Sequence, residues 1–239
     1  MFLPHLVFLA GFLALAALGG WAVLWLMSLF GQGLFRVGSR CVSEPAEGVD
    51  TAILLGLGFK MRGPVMEPGP ANQDIWEAAS QTRGIGVFLV QDAFIKAAMD
   101  SGFRLVERTE PDADPMKDVW ADDDGRVVRR IHPHTPGQHV NTFAAAQRAL
   151  DRMQDLGKKR ALLFAHDMHL PRAAWVFRRL RKSGHGDLRV DVACVQRPMR
   201  LDPESDQKWT RSAFRYSCYE QGARLNELWN YVRYRWSGR

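Results

Sequence analysis

Cysteine is scarce in this chain. Cys41, Cys194 and Cys218 are the only three in 239 residues. An odd number at irregular spacing builds neither a disulfide framework nor a zinc-ligand pattern. Internal repeats and low-complexity segments are lacking too, which leaves an ordinary folded domain as the expectation for most of the length. Nowhere do aromatic and basic residues interleave as a nucleic-acid surface requires, so no nucleic-acid partner is expected. The net charge of +6 is therefore read as arginines on helical faces that meet water or anionic lipid headgroups.

Charge is wholly absent from one place. Leu6 to Phe30 reads LVFLAGFLALAALGGWAVLWLMSLF, and the first ionisable side chain after His5 is Arg36. At about 1.5 Å per residue such a run exceeds a hydrocarbon core of roughly 30 Å, which predicts one transmembrane helix with some tilt. A cleavable signal peptide needs a basic start, a shorter apolar core and an A-x-A-like end, and none of these is present. The expected organisation is an anchor over 1–35, a linker over 36–49 and a folded domain over 50–239, placed at an inner, cytoplasmic membrane. Arg36, Arg40, Lys60 and Arg62 follow the anchor with no lysine or arginine before it, which by the positive-inside rule puts the domain in the cytoplasm.

Beyond residue 50 the hydrophobic pattern alternates between strand and helix. Thr51 to Leu55 is an apolar run with the length of a strand, ending in Gly56-Leu57-Gly58. Two glycines after a strand allow a tight turn and a close approach of backbone to ligand. The full G-x-G-x-x-G fingerprint fails at Met61, and no helix follows at once. A Pro/Gly-rich loop is expected from Phe59 to Ala71, then a helix starting at Asn72 or Asp74 with Glu77 in capping-box position. Ile85 to Val90 reads as a strand followed by Gln91 and by Asp92 as a helix cap, and the helix stops at Gly102. Arg104 to Glu107 is a short strand candidate. Glu110 to Arg126, with six Asp and one Glu, lacks EF-hand spacing and reads as a solvated loop. Val127 to Ile131 is the next strand. Asn141 or Thr142 then caps a helix with Phe143, Ala146, Leu150 and Met153 on one face, closed by Gly157. Leu188 to Val195 is a further strand, and a long last helix carries Leu225, Leu228, Trp229 and Val232 toward the sheet. Such alternation predicts an α/β fold, a mostly parallel sheet with helices on both faces.

The stretch Arg160 to Arg181 is the densest in chemistry. An apolar strand, Ala161 to Ala165, leads into a turn with His166, Asp167 and His169, then into a helix with Pro171 near its start and Ala173, Val176, Phe177 and Leu180 as its inner stripe. Ligands of open parallel sheets bind beyond the carboxyl ends of strands, and this turn occupies such an end.

Asn141-Thr142 opening one helix and His169-Leu170-Pro171-Arg172-Ala173 opening the next resemble the ElyC/SanA/YdcF envelope family. Leu55 to Gly58 is similar to that family's opening L-G-G-G, and Asn226-Glu227-Leu228 through Tyr231 to Arg235 to its closing helix. The resemblance covers roughly residues 50 to 235. Departures are Ala165-His166 in place of Thr-Ser, Ala145 in place of Asn, and Val90-Gln91-Asp92 in place of a Ser-Gly-Gly turn. What the resemblance implies is a Rossmann-like domain, often tethered to the inner membrane on its outer side, with a role in envelope integrity and peptidoglycan or lipid-carrier metabolism. S-adenosylmethionine, or another nucleotide-like molecule, is the cofactor it suggests, and envelope-biogenesis proteins are the partners.

Three readings stay open. In the first, a cleft binds a nucleotide-like or phosphorylated molecule, with Gly56 and Gly58 giving backbone access, Asn141, Thr142 and the helix starts favouring an anion, His169 lining the pocket and Arg172 supplying a charge-assisted contact. Asn72, Gln91, Asp92, His166 and Asp167 are further contacts. In the second, His132, His134, His166, Asp167 and His169 bind zinc or manganese and activate water for hydrolysis. In the third, the protein is a non-catalytic envelope scaffold.

Overall fold

Strand residues here alternate in side but not in polarity, because the sheet is covered twice. The computed structural model describes residues 19–20, 41–42, 46–63, 65–107, 118–132, 141–193 and 200–236. Within the unit Ser39–Arg239 an eight-stranded sheet runs in the order β1-β10-β9-β2-β5-β8-β7-β6. Its strands are β1 (Cys41–Val42), β2 (Thr51–Leu55), β5 (Val87–Gln91), β6 (Arg104–Glu107), β7 (Val119–Ala121), β8 (Val127–His132), β9 (Arg160–Ala165) and β10 (Arg189–Ala193). All neighbours from β1 to β8 pair in parallel, and β7 and β6 add an antiparallel edge. Ile53, Leu55 and Leu163 face one buried cluster while Ala52, Leu54 and Phe164 face the other.

The helices divide between those faces. Ile75, Trp76 and Ala79 of α1 (Pro70–Ser80) and Ala97 and Ala98 of α2 (Ile95–Asp100) fill one cluster. Phe143, Leu150 and Met153 of α3 (Thr142–Asp155), with Ala173, Val176 and Leu180 of α4 (Leu170–Gly184), fill the other, as their spacing predicts. A last helix, α5 (Ala213–Trp236), lies against α3 and α4.

Counted in chain order, β2, β5, β8, β9 and β10 lie as 3-2-1-4-5, the order of Rossmann-type sheets. The order reverses between β2 and β9, where Leu55 pairs with Ala165. Both glycine-bearing and histidine-bearing turns therefore leave the sheet side by side at its switch point.

Several expectations are corrected. The loop expected from Phe59 to Ala71 contains a hairpin of β3 (Phe59–Arg62) and β4 (Val65–Pro68), and α1 begins at Pro70 with Gly69 as its N-cap. Pro70 supplies the start, since its missing N–H is one the first turn leaves unbonded. Asp92 caps no helix: it lies inside a 3₁₀ turn, Asp92–Phe94, and its carboxylate is 2.6 Å from Arg130 Nε. The acidic loop holds β7, and Asp122 ties the β7–β8 turn by accepting from the amides of Asp124 and Arg126. The Leu6–Phe30 run lies outside the described residues except Gly19 and Gly20, which are helical. Among the described residues no helix is long and apolar enough to cross a membrane.

Candidate functional site

The turn after β2 exists because Gly58 adopts φ +76°, a left-handed conformation that a side chain makes costly. Space demands glycine as well, since a Cβ there would meet Thr210 Oγ1 at 2.9 Å. Four successive amides of this turn point at side-chain oxygens. Gly56 N donates to Gln91 Oε1 at 2.7 Å and Leu57 N to Asn72 Oδ1 at 2.7 Å. Gly58 N donates to Gln207 Oε1 at 3.0 Å and Phe59 N to Ser205 Oγ at 3.3 Å. Asn72, fully buried, also donates from Nδ2 to the Gly58 carbonyl at 2.6 Å. Asn72 and Gln91 thus join Gly56 and Gly58, whereas Asp92 is held by Arg130. Ser205, Gln207 and Thr210 arrive from about 150 positions away, and no local pattern in their stretch signals it.

Beside this turn, β9 ends at Ala165 and His166 begins the second one. The His166 carbonyl accepts from the amides of His169 and Leu170, both at 2.8 Å, which folds the chain directly into α4. Asp167 Oδ1 lies 2.8 Å from His166 Nδ1, a contact that holds the exposed Asp167 carboxyl below its ordinary range. His166 itself is buried, with no hydrogen-bond partner for Nε2 among the described residues.

Thr142, His169 and Arg172 converge. Asn141 caps α3, its Oδ1 accepting from Ala144 N at 2.7 Å, and so fixes Thr142 at the first helical position. Thr142 Oγ1 accepts from Arg172 Nη1 and stands 3.1 Å from His169 Nε2. A hydroxyl donates once and accepts twice, so beside the donating guanidinium Thr142 can serve either neutral tautomer of His169, as donor to a bare Nε2 or as acceptor from Nε2–H. Burial first, then the charge of Arg172 and the neighbouring His166, push His169 well below its ordinary value and keep it neutral.

Two carboxylates from α5 complete the cluster. Glu227 Oε1 accepts from Thr142 N at 3.0 Å and from Arg172 Nη1 at 3.2 Å, while Oε2 accepts from Phe143 N at 3.2 Å. Glu220 takes Arg172 Nε on both oxygens at 3.0 Å and also accepts from the Tyr216 hydroxyl and from Arg224 Nε. Burial pushes both carboxyls upward against the pull of Arg172, and Arg172, held between them, stays charged. Its guanidinium is therefore matched inside the protein and is not an open contact at a cleft mouth. Removing one partner of such a buried ion cluster costs about 3–5 kcal/mol, because the others stay buried and unmatched.

The face of α5 that does this is the opposite of the one expected. Tyr216, Glu220 and Glu227 are buried, whereas Leu225, Leu228 and Trp229 are half exposed or more. A signal was there to read: Tyr216, Glu220, Glu227, Tyr231 and Tyr234 recur at helical spacing, and the helix's two acids both fall on that line.

Of the five residues in the metal reading, His134 and the side chain of His132 lie outside the described residues. His166 turns to Asp167 and His169 to Thr142. Among the described residues no three His, Cys, Asp or Glu side chains gather to hold a metal ion. Compared with known proteins, the chain matches no family model, no curated protein and no solved structure.

Proposed function

We propose that this is a membrane-anchored α/β protein of the cell envelope that binds a small anionic molecule, nucleotide-like or phosphorylated, at the switch point of its sheet. On this reading it serves envelope integrity or peptidoglycan and lipid-carrier metabolism, as its resemblance to the ElyC/SanA/YdcF family implies. One observation carries the binding site. The backbone amides of Thr142 and Phe143 at the start of α3 and the Arg172 guanidinium surround a carboxylate, that of Glu227, with donors of the kind that receive phosphate and carboxylate at helix N-termini. The anion there belongs to the chain itself, so an external ligand competes with Glu227 for the same donors.

Glu227→Ala is the informative variant, because it frees the amides of Thr142 and Phe143 and Arg172 Nη1 while Glu220 keeps Arg172 Nε. Melting without ligand first checks that it folds despite the loss of about 3–5 kcal/mol. Thermal melting of parent and variant is measured with pyrophosphate, nucleotides, S-adenosylmethionine and an isoprenoid phosphate. At ~100 times its dissociation constant a ligand stabilises by about 2.7 kcal/mol. At least one of these probes is expected to raise the melting temperature, and more for Glu227→Ala than for the parent. A panel that shifts neither protein rejects the anion site.

The scaffold reading has its own support. Every amide from Gly56 to Phe59 is already bonded to a side-chain oxygen, so the glycine turn is closed by the protein's own groups. A null panel makes the scaffold the better account.

A further inference from the structure

We propose that the outward face of α5 rests on the surface of an anionic lipid bilayer. Leu225, Leu228, Trp229, Val232 and Trp236 fall on one stripe of the helix at 100° per residue, spanning about 16 Å along its axis. Four of them are exposed by 59, 49, 57 and 81 % for Leu225, Leu228, Trp229 and Trp236. This stripe is diametrically opposite the line of Tyr216, Glu220 and Glu227. The helix cannot roll to bury it, because rolling would pull both carboxylates off Arg172 and off the start of α3.

Charge identifies the occupant. The only acids between Ala213 and Trp236 are Glu220 and Glu227, both buried, and the exposed charges on the helix are Arg215, Arg233 and Arg235. An apolar stripe with tryptophans and a purely cationic rim is the chemistry of helices that lie in the headgroup region of anionic membranes. A second copy meeting this face would bring like arginine rims together. The same chain carries the uncharged Leu6–Phe30 run, which on the reading above keeps the domain beside a bilayer.

Cys218 is exposed and lies on the same stripe, seven residues before Leu225, so it reports on the face directly. The full chain with Cys41→Ser and Cys194→Ser, labelled at Cys218 with a fluorophore, is reconstituted into vesicles of phosphatidylcholine alone or with phosphatidylglycerol. In the anionic vesicles, brominated lipid chains are expected to quench the label, and aqueous acrylamide to quench it several-fold less than in detergent. High salt and the pair Leu228→Glu with Trp229→Glu both reverse this, while melting checks that the pair still folds. Since the label sits on α5, an anchor that inserts without docking leaves acrylamide quenching as high as in detergent, and that result overturns the proposal. Equal quenching by lipid in neutral and anionic vesicles overturns it as well. So does protection that persists in detergent together with a doubled mass by light scattering, which would assign the face to a second copy.

Discussion

At His169 burial and a neighbouring guanidinium set the protonation state. Arg172 donates to Thr142 Oγ1, which also stands against His169 Nε2, and a buried imidazole between these groups stays neutral. That assignment has a pH signature. The folded imidazole lies below the ordinary value of about 6.5, so as pH falls past 6.5 the unfolded chain takes up a proton that the folded chain refuses. Stability present above that value is lost on acidification toward the folded value. Glu220 and Glu227 have the opposite sign: their carboxyls are raised, so the stability they contribute is present below the ordinary glutamate value and declines as pH rises through the raised ones. Melting temperature measured from about pH 7.5 to pH 5 is therefore expected to fall more steeply for the parent than for His169→Gln, whose amide oxygen can accept from Thr142 without titrating. Parallel curves for the two proteins would mean that His169 does titrate in the folded state.

Among the elements, the turn from Gly56 to Gly58 and the helix α5 show how a short segment is fixed by distant ones. Gly58 combines a positive φ with a neighbour, Thr210, too close for a Cβ, whereas Gly63 has φ +61° and nothing within 4 Å. Both glycines would be strained by a side chain, but only Gly58 would also collide. Gly63→Ala is expected to lose stability by about 1 kcal/mol and Gly58→Ala by roughly 2–3 kcal/mol, read from urea denaturation midpoints. Equal losses would show that Thr210 moves aside freely. For α5 the apolar residues are more numerous on the outer stripe, yet the inner one wins. Burying Leu225 and Trp229 would gain about 1.5–3 kcal/mol each, but it would leave Arg172 and the amides of Thr142 and Phe143 buried without partners, a larger penalty.

For the whole molecule, the parallel sheet with two covered faces brings the turns after β2 and β9 together at the point where strand order reverses. The N-terminal run makes a separate prediction. Because lipid burial of 25 uncharged residues is not undone by salt or high pH, the full chain is expected to stay with membranes through carbonate and high-salt extraction. Full-length protein in the extracted supernatant would remove the anchor. Reporter fusions after Arg239 decide the side, cytoplasmic by the arginines at 36 and 40 and outer by the family resemblance.

Hydrophobic period and capping residues by themselves determined α3, α4 and the strands β2, β8 and β9, because those signals act within a few residues of one another. Ala173, Val176, Phe177 and Leu180 face the core as spaced, and Asn141 caps as expected. The grouping of Gly56, Gly58, Asn72 and Gln91, and that of Thr142, His169 and Arg172, was legible to the extent that strand ends of a parallel sheet share one edge. The groups that meet them were decided only by tertiary structure. Glu227 reaches Thr142 across 85 positions and Gln207 reaches Gly58 across 149, and nothing local in a sequence records such a meeting. The orientation of α5 follows from it: local hydrophobicity favoured Leu225 and Trp229 inward, and a buried arginine on another helix required two carboxylates there instead.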